Sequence, residues 1–256
     1  MQELFEKLSR DEDSHKGQNG KVMVIGGSEK YTGAPALTAQ AALRAGADLV
    51  KVLTSDHARP VVQGFSENLI VESFGERFDE NSLEKALELE EWADTTVVGP
   101  GLTDFDKNAL RDFAEEAGNL VVDAGAIRPL RRVKAVFTPH AGEAKILEKN
   151  YGSLKAFSEE TGSTVLLKGG IDTIYSSAGV FENETGCAGM TAGGTGDVLA
   201  GIVTAFHAQG LEDKDAARLA AYINGVAGEK AFEKYGNGLV ASDLLERIAE
   251  VVSEKS

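Results

Sequence analysis

Short apolar runs rich in Val, Ile and Leu alternate along this chain with stretches in which apolar residues recur every three or four positions. The first pattern predicts strands and the second amphipathic helices. Strands are expected at residues 22–25, 49–53, 68–71, 95–98, 120–122, 135–137 and 164–167, with helices between them at 34–45, 83–91, 106–117 and 143–150. Several of the strands are apolar at every position rather than at alternate ones, so both of their faces must be covered. That requirement predicts an α/β fold of three layers, a doubly wound and mostly parallel sheet between two sets of helices. Residues 171–175 and 180–182, joined by Ser176-Ser177-Ala178-Gly179, read as a hairpin that extends the sheet edge. The remainder reads as helices at 197–209, 213–235 and 241–252. No repeat, low-complexity tract or linker interrupts the pattern, so one domain over residues 1–256 is expected.

Charge changes the picture of what the fold can bind. The chain carries 26 Lys and Arg against 41 Asp and Glu, a net −15. A field of that sign repels nucleic acid, which is not expected as a partner. It also opposes any phosphate-bearing substrate, so a local positive site would have to overcome it. No apolar run approaches the ~20 residues that span a bilayer. The opening MQELFEKLSRDED has neither the basic region nor the apolar core of a signal peptide. A cytoplasmic protein without a membrane partner is expected. The single cysteine, Cys187, has no partner for an intrachain disulfide and fits a reducing compartment.

Glycine points to where the chemistry lies. The 29 glycines are about 11% of the chain against a usual ~7%, and they cluster where strands end. Ligands of open α/β sheets bind outside those carboxyl ends. The sharpest cluster is Met190-Thr191-Ala192-Gly193-Gly194-Thr195-Gly196-Asp197, a loop without bulky side chains that runs into a helix. The unpaired N–H groups of a first helical turn, with the helix dipole behind them, form an anion site. The Lys-Ser/Thr pair of a Walker A loop is missing, which excludes a P-loop ATPase. Asp197 has two readings: a carboxylate favoured at a helix start for its charge alone, or a base for a hydroxyl attacking a phosphate held alongside.

Four further segments follow predicted strands. Gly26-Gly27-Ser28 through Gly33-Ala34-Pro35 is a strand, loop and helix opened by proline; its spacing is not that of a dinucleotide-binding Gly-x-Gly-x-x-Gly. It reads as a tight turn or as the lip of a substrate site. Gly99-Pro100-Gly101 ends another strand. Thr138-Pro139-His140 with Gly142-Glu143 offers a polar contact from His140 and a helix cap from Glu143, too few ligands for zinc. Lys168-Gly169-Gly170 sets a lysine at a strand end where phosphate could be met. His15, His57, His207 and Glu88-Leu89-Glu90-Glu91 read as surface or structural positions.

In this order the segments resemble the ADP/ATP-dependent NAD(P)H-hydrate dehydratases, a branch of the ribokinase-like superfamily. The resemblance runs from about residue 16 to the last helix, and includes residues 186–201 and Gly238-Leu239-Val240-Ala241-Ser242-Asp243-Leu244-Leu245. It implies a ribokinase-like fold and the repair of hydrated NADH or NADPH. In that reaction the C6 hydroxyl is phosphorylated from ADP or ATP and then lost as phosphate, with Mg²⁺ to neutralise phosphate charge. It implies that Asp197 acts as base within a catalytic loop of Gly194, Thr195 and Gly196. Ala34, Gly101, His140 and Asp197 would contact the hydrated dinucleotide. Lys168, Gly169, Gly170, Ile171, Asp172 and Gly196 would bind the adenylate. No metal ligand is assigned, because Gly125 stands where a second acidic residue is expected. Asn224-Gly225 stands where relatives often have His-Gly. The resemblance also implies a homo-oligomer, and the short lead before the first strand predicts no N-terminal epimerase domain. Two alternatives share the Asp197 loop: a kinase for a thiazole, pyrimidine or pyridoxal alcohol, and a non-catalytic adenylate sensor.

Overall fold

Seven parallel strands and a terminal hairpin build one nine-stranded sheet in a computed structural model that describes residues 1–8 and 10–254. The parallel strands are β1 (Lys21–Ile25), β2 (Leu49–Thr54), β3 (Ile70–Ser73), β4 (Thr95–Val98), β5 (Leu120–Val122), β6 (Val136–Phe137) and β7 (Thr164–Leu167). The hairpin strands β8 (Asp172–Ser176) and β9 (Gly179–Asn183) pair antiparallel at the edge after β7. The spatial order is β3-β2-β1-β4-β5-β6-β7-β8-β9, so the winding reverses direction between β1 and β4. Open sheets of this kind bind ligands beside such a reversal.

The all-apolar strands cover both faces as the pattern requires. Val22 and Val24 of β1 point into one core and Met23 and Ile25 into the other. The first core is closed by α1 (Gln2–Glu6) and α2 (Ala34–Arg44), with Val62 from α3 (Arg59–Phe65). The second is closed by α4 (Glu80–Trp92), α5 (Lys107–Glu116), α6 (Ile127–Leu130), α7 (Ala141–Glu148) and α8 (Leu154–Thr161). The chain then returns to the first face as α9 (Thr195–Ala208), α10 (Asp213–Tyr235) and α11 (Asp243–Ser253). Together these layers make the three-layer doubly wound arrangement expected from the pattern.

Differences from the expected boundaries have local causes. β3 starts at Ile70 rather than 68 because the Asn68 amide bonds the Ser66 hydroxyl (3.2 Å) in a turn. α7 starts at Ala141 because His140 caps it: its Nδ1 accepts from the Gly142 and Glu143 amides (2.9 and 3.4 Å), while the Glu143 carboxylate accepts from the His140 amide (3.0 Å). Four helices have no counterpart in the pattern. α1, α3 and α6 are seven residues or fewer, too short to show a period. α8 carried its signals: Ser153 caps it through the Ala156 amide and Gly162 ends it at φ 69°.

Candidate active site

The carboxyl ends of β1, β4, β5, β6 and β7 converge on one crest, and backbone contact holds them there. Gly27 donates to the Pro100 carbonyl (2.8 Å), Asp123 to Val98 (3.0 Å), Thr138 to Val122 (3.1 Å) and Lys168 to Pro139 (2.9 Å). Each bond ties the residue after one strand to its neighbour. Side chains leaving these strand ends are therefore fixed relative to one another, which is what a site needs. The loops pack so closely that a Cβ on Gly99 would lie 1.8 Å from the Asp123 carbonyl.

On this crest Lys168, at the end of β7, meets Asp123, at the end of β5. The Lys168 ammonium donates to Asp123 Oδ1 at 2.9 Å, and the Thr138 hydroxyl donates to the same oxygen at 2.7 Å. Asp123 is 2% exposed, so its charge is satisfied by these two donors rather than by water. Burial pulls the Lys168 ammonium down, but Asp123, Glu143 and Asp197 outweigh it and hold the pKa above the ordinary lysine value. The lysine stays a fixed positive charge. That is the local cation which the −15 field demanded.

The loop before α9 brings its glycines against that lysine. Gly194 caps the helix in the left-handed region (φ 96°), where a side chain would also meet Leu37 at 2.8 Å. The Thr195 hydroxyl donates to the Met190 and Ala192 carbonyls (2.8 and 3.0 Å), so it pins the loop. Among the described residues no acceptor takes the amides of Gly196 and Asp197 in the first turn. A Cβ on Gly196 would stand 3.1 Å from the Lys168 ammonium. Free amides at a helix N-terminus thus lie beside a lysine, an arrangement able to hold an anion.

Asp197, the third residue of α9, carries one of these amides. Burial, then the neighbouring Asp123 charge, push its carboxyl up to about 7, with Lys168 pulling the other way. A carboxyl balanced near neutrality can take a proton and release it again, as a general base must. Its backbone is tied to the other half of the crest, because the Thr38 hydroxyl of α2 donates to the Asp197 carbonyl (3.0 Å) and to that of Ala34 (3.1 Å). Ala34 in turn borders Gly101, whose Cβ would fall 3.0 Å from that of Ala34 and 2.7 Å from the Tyr31 carbonyl.

Two hollows open along the crest, and Asp197, Ala34, Gly101 and His140 line neither of them. One of about 460 Å³ is lined by Lys168, Gly169, Gly170, Asp172 and Gly196, with Asn224 of α10 and Cys187 on its walls. Asp172 accepts from the Gly169 amide (3.0 Å); burial raises its pKa, against the pull of that bond, Asn183 and Lys168. The other, about 630 Å³, opens over Gly27, Ser28, Lys30 and Thr103. His140 sits beside Lys168 through a parallel backbone bridge, its ring spent on the α7 cap through Nδ1 and its side chain exposed. Ile171 lines neither hollow and is half exposed.

Sequence reading missed two residues of this site. Asp123 carries no motif of its own, since its partner lies 45 positions away and is met only through the sheet. Asn224 is 4% exposed with its Oδ1 lacking any hydrogen-bond partner, and it faces the same hollow as Lys168. In the sequence Asn224 stands out only as a departure from the His-Gly of relatives, which assigns no role to its amide.

A doubly wound sheet with a glycine-rich helix start, a lysine and a near-neutral carboxyl on its crest is the ribokinase-like architecture. The fold matches a ribokinase-like superfamily protein of Enterococcus faecalis at TM-score 0.88 and 26% identity, covering 100% of this chain and 95% of that one. It also matches the ADP/ATP-dependent NAD(P)H-hydrate dehydratase of Bacillus subtilis, co-crystallised with ATP/Mg²⁺, at TM-score 0.85 and 24% identity, covering 100% and 98%. The chain belongs to the NAD(P)H-hydrate dehydratase family, whose sequence profile matches residues 22–250. The ADP-dependent (S)-NAD(P)H-hydrate dehydratase of Natrialba magadii is 41% identical over 257 residues, 98% of each chain.

Proposed function

We propose that the protein is an ADP-dependent hydro-lyase that returns the S form of hydrated NADH or NADPH to the reduced nicotinamide. The observation that carries this is Asp197: a carboxyl at about 7, beside free amides that open α9 and next to the Lys168–Asp123 pair. An anion site with a base beside it serves transfer of a phosphoryl group to an alcohol. A protein that only sensed adenylate would need no such base. Family membership and the Natrialba magadii enzyme support the choice of a hydrated dinucleotide over the alcohols of vitamin kinases.

In the step proposed, Asp197 accepts the proton of the C6 hydroxyl while that oxygen attacks the terminal phosphorus of ADP, and AMP leaves. Hydroxide is a poor leaving group, whereas the phosphate now on C6 is a good one. The ring nitrogen lone pair expels it, and loss of the C5 proton restores the C5–C6 double bond. The sum is hydrate plus ADP to reduced nicotinamide, AMP and inorganic phosphate. Gly196 and the Asp197 amide receive the transferred phosphoryl group, and Lys168 offsets its charge. The hollow of Lys168, Gly169, Gly170 and Asp172 holds the nucleotide, with Asn224 offering its amide to the base. The dinucleotide lies across Ala34 and Gly101 with His140 at its margin.

Among the described residues no three His, Cys, Asp or Glu side chains form a metal cluster. Mg²⁺ carried on phosphate oxygens and water needs only one or two carboxylates from a protein. Asp172, on the hollow's wall, would be the one to hold it, and the ion would neutralise phosphate charge.

The reading is tested by incubating the protein with hydrated NADH and ADP. Recovery of the reduced-nicotinamide absorbance, with one inorganic phosphate and one AMP for each molecule restored, is expected. A stable phosphoester, or ADP left unconsumed, would instead indicate a kinase or a sensor.

A further inference from the structure

Away from the crest, cations gather on a strongly acidic protein without taking carboxylate partners. A cavity of about 610 Å³ is lined by Arg111 of α5 together with Arg131, Arg132 and Lys134. A neighbouring cavity of about 270 Å³ shares Arg131 and adds Arg128, Lys145 and Lys149. Gly118 and Lys134 on the first wall lead directly into β5 and β6. The cavity therefore opens where these strands begin, at the opposite end of the sheet from Lys168 and Asp197.

Scattered cations such as Lys16, Arg44, Arg59 and Lys107 also lack an ion pair among the described residues; this cluster differs in gathering seven such cations around two adjoining cavities. Thirteen ion pairs within 4.0 Å occur among the described residues, and none uses any of these seven cations. Partners are not scarce in a chain with 41 acidic residues against 26 basic ones. Glu115 is the one carboxylate on the wall of the larger cavity, and it makes no ion pair there. Asp213, whose field is felt from Lys134, is engaged with His207 at 2.7 Å.

Two guanidiniums are held in place. Arg111 Nε donates to the Pro129 carbonyl (3.2 Å) and Arg131 Nη1 to that of Arg128 (2.6 Å), bonds that also cap the end of α6. Capping accounts for those two alone. Arg132 and Lys134 are exposed and make no hydrogen bond, and no ion pair within 4.0 Å, among the described residues; Lys134 feels only the more distant Asp213 charge. The planar fork of arginine matches phosphate oxygens two at a time, and a concave wall of this size suits a small ligand. The chain's overall charge argues against a long nucleic acid, whose many phosphates would meet the acidic surface beyond the patch.

We infer that the cavity of Arg111, Arg131, Arg132 and Lys134 is a binding site for a small oligophosphate anion, separate from the nucleotide hollow. The inference stands apart from the dehydratase reading, since it uses none of the crest residues. Sodium tripolyphosphate is the probe, titrated by calorimetry at low salt. Three proteins are compared: wild type, Arg132→Ser/Lys134→Ser, and Lys16→Ser/Lys234→Ser as a control that removes the same charge from exposed positions elsewhere. Wild type and control are expected to bind alike. The Arg132/Lys134 variant is expected to lose this site, its dissociation constant rising about tenfold or more, with dehydratase kinetics unchanged. No binding by wild type, equal binding by the Arg132/Lys134 variant, or an equal loss in the control would overturn the inference.

Discussion

At about 7, the Asp197 carboxyl is ionised in roughly half of the molecules at neutral pH. Burial raises it first and the Asp123 charge second, so the property that fits it for proton transfer works against the folded state. A carboxyl whose folded pKa exceeds its unfolded value stabilises the fold below the unfolded value of about 4, and that contribution is lost as pH rises to about 7. Asp197→Asn removes the burden of the charge. Its melting temperature is expected to exceed that of wild type at about pH 8, by ~2–4 °C per kcal/mol recovered at this length, and the gap is expected to narrow towards pH 4. Differential scanning calorimetry at the two pH values checks this, and a gap that does not change with pH would contradict the stated environment of Asp197. The residues that sequence could identify, Asp197, Lys168, Gly194 and Gly196, stand inside unusual glycine-rich strings. Asp123 was not legible because its role is made by Lys168 and Thr138 arriving on separate strands.

Among the elements, the contact of α2 with α9 sets the distance between the two halves of the crest. Gly201 makes that contact possible, since a Cβ there would meet the Thr38 carbonyl at 2.2 Å and Ala41 at 3.0 Å. Thr38 is also the residue that bonds the Asp197 carbonyl, so pushing α9 outward would disturb the base as well as the packing. Gly201→Ala is expected to destabilise the fold by about 1–3 kcal/mol, the usual cost of overpacking, readable as a lower urea midpoint. An unchanged midpoint would show that the helices separate freely. At this scale most of the architecture was legible: β4, β5, β7 and α10 fall where periodicity puts them. The hairpin also formed, with Ser177-Ala178 as its turn. The short helices α1, α3 and α6 were not, because a period needs more than one or two turns to appear.

Over the whole molecule, net charge and local charge act in opposite directions on a phosphate-bearing substrate. The −15 field extends into solvent and is screened by salt, whereas Lys168, mostly shielded and bonded to Asp123, is screened far less. The KM for ADP is therefore expected to fall as ionic strength rises from about 0.01 to 0.15 M; a KM that rises over this range would mean that exposed cations, and not the crest, attract the nucleotide. The sheet order could not be read from the sequence, because it depends on which crossovers reverse between β1 and β4. The convergence of the glycine-rich strand ends follows from that order. The role proposed for Asp197 is to take the hydroxyl proton at a phosphoryl-binding helix start. It is tested most directly by the turnover of Asp197→Asn with hydrated NADH and ADP, alongside its affinity for ADP. Turnover lowered by about 10²- to 10⁴-fold, ADP affinity close to wild type, and a wild-type rate that climbs with pH through about 7 as the base ionises are expected. A folded variant that turns over at the wild-type rate would contradict that role.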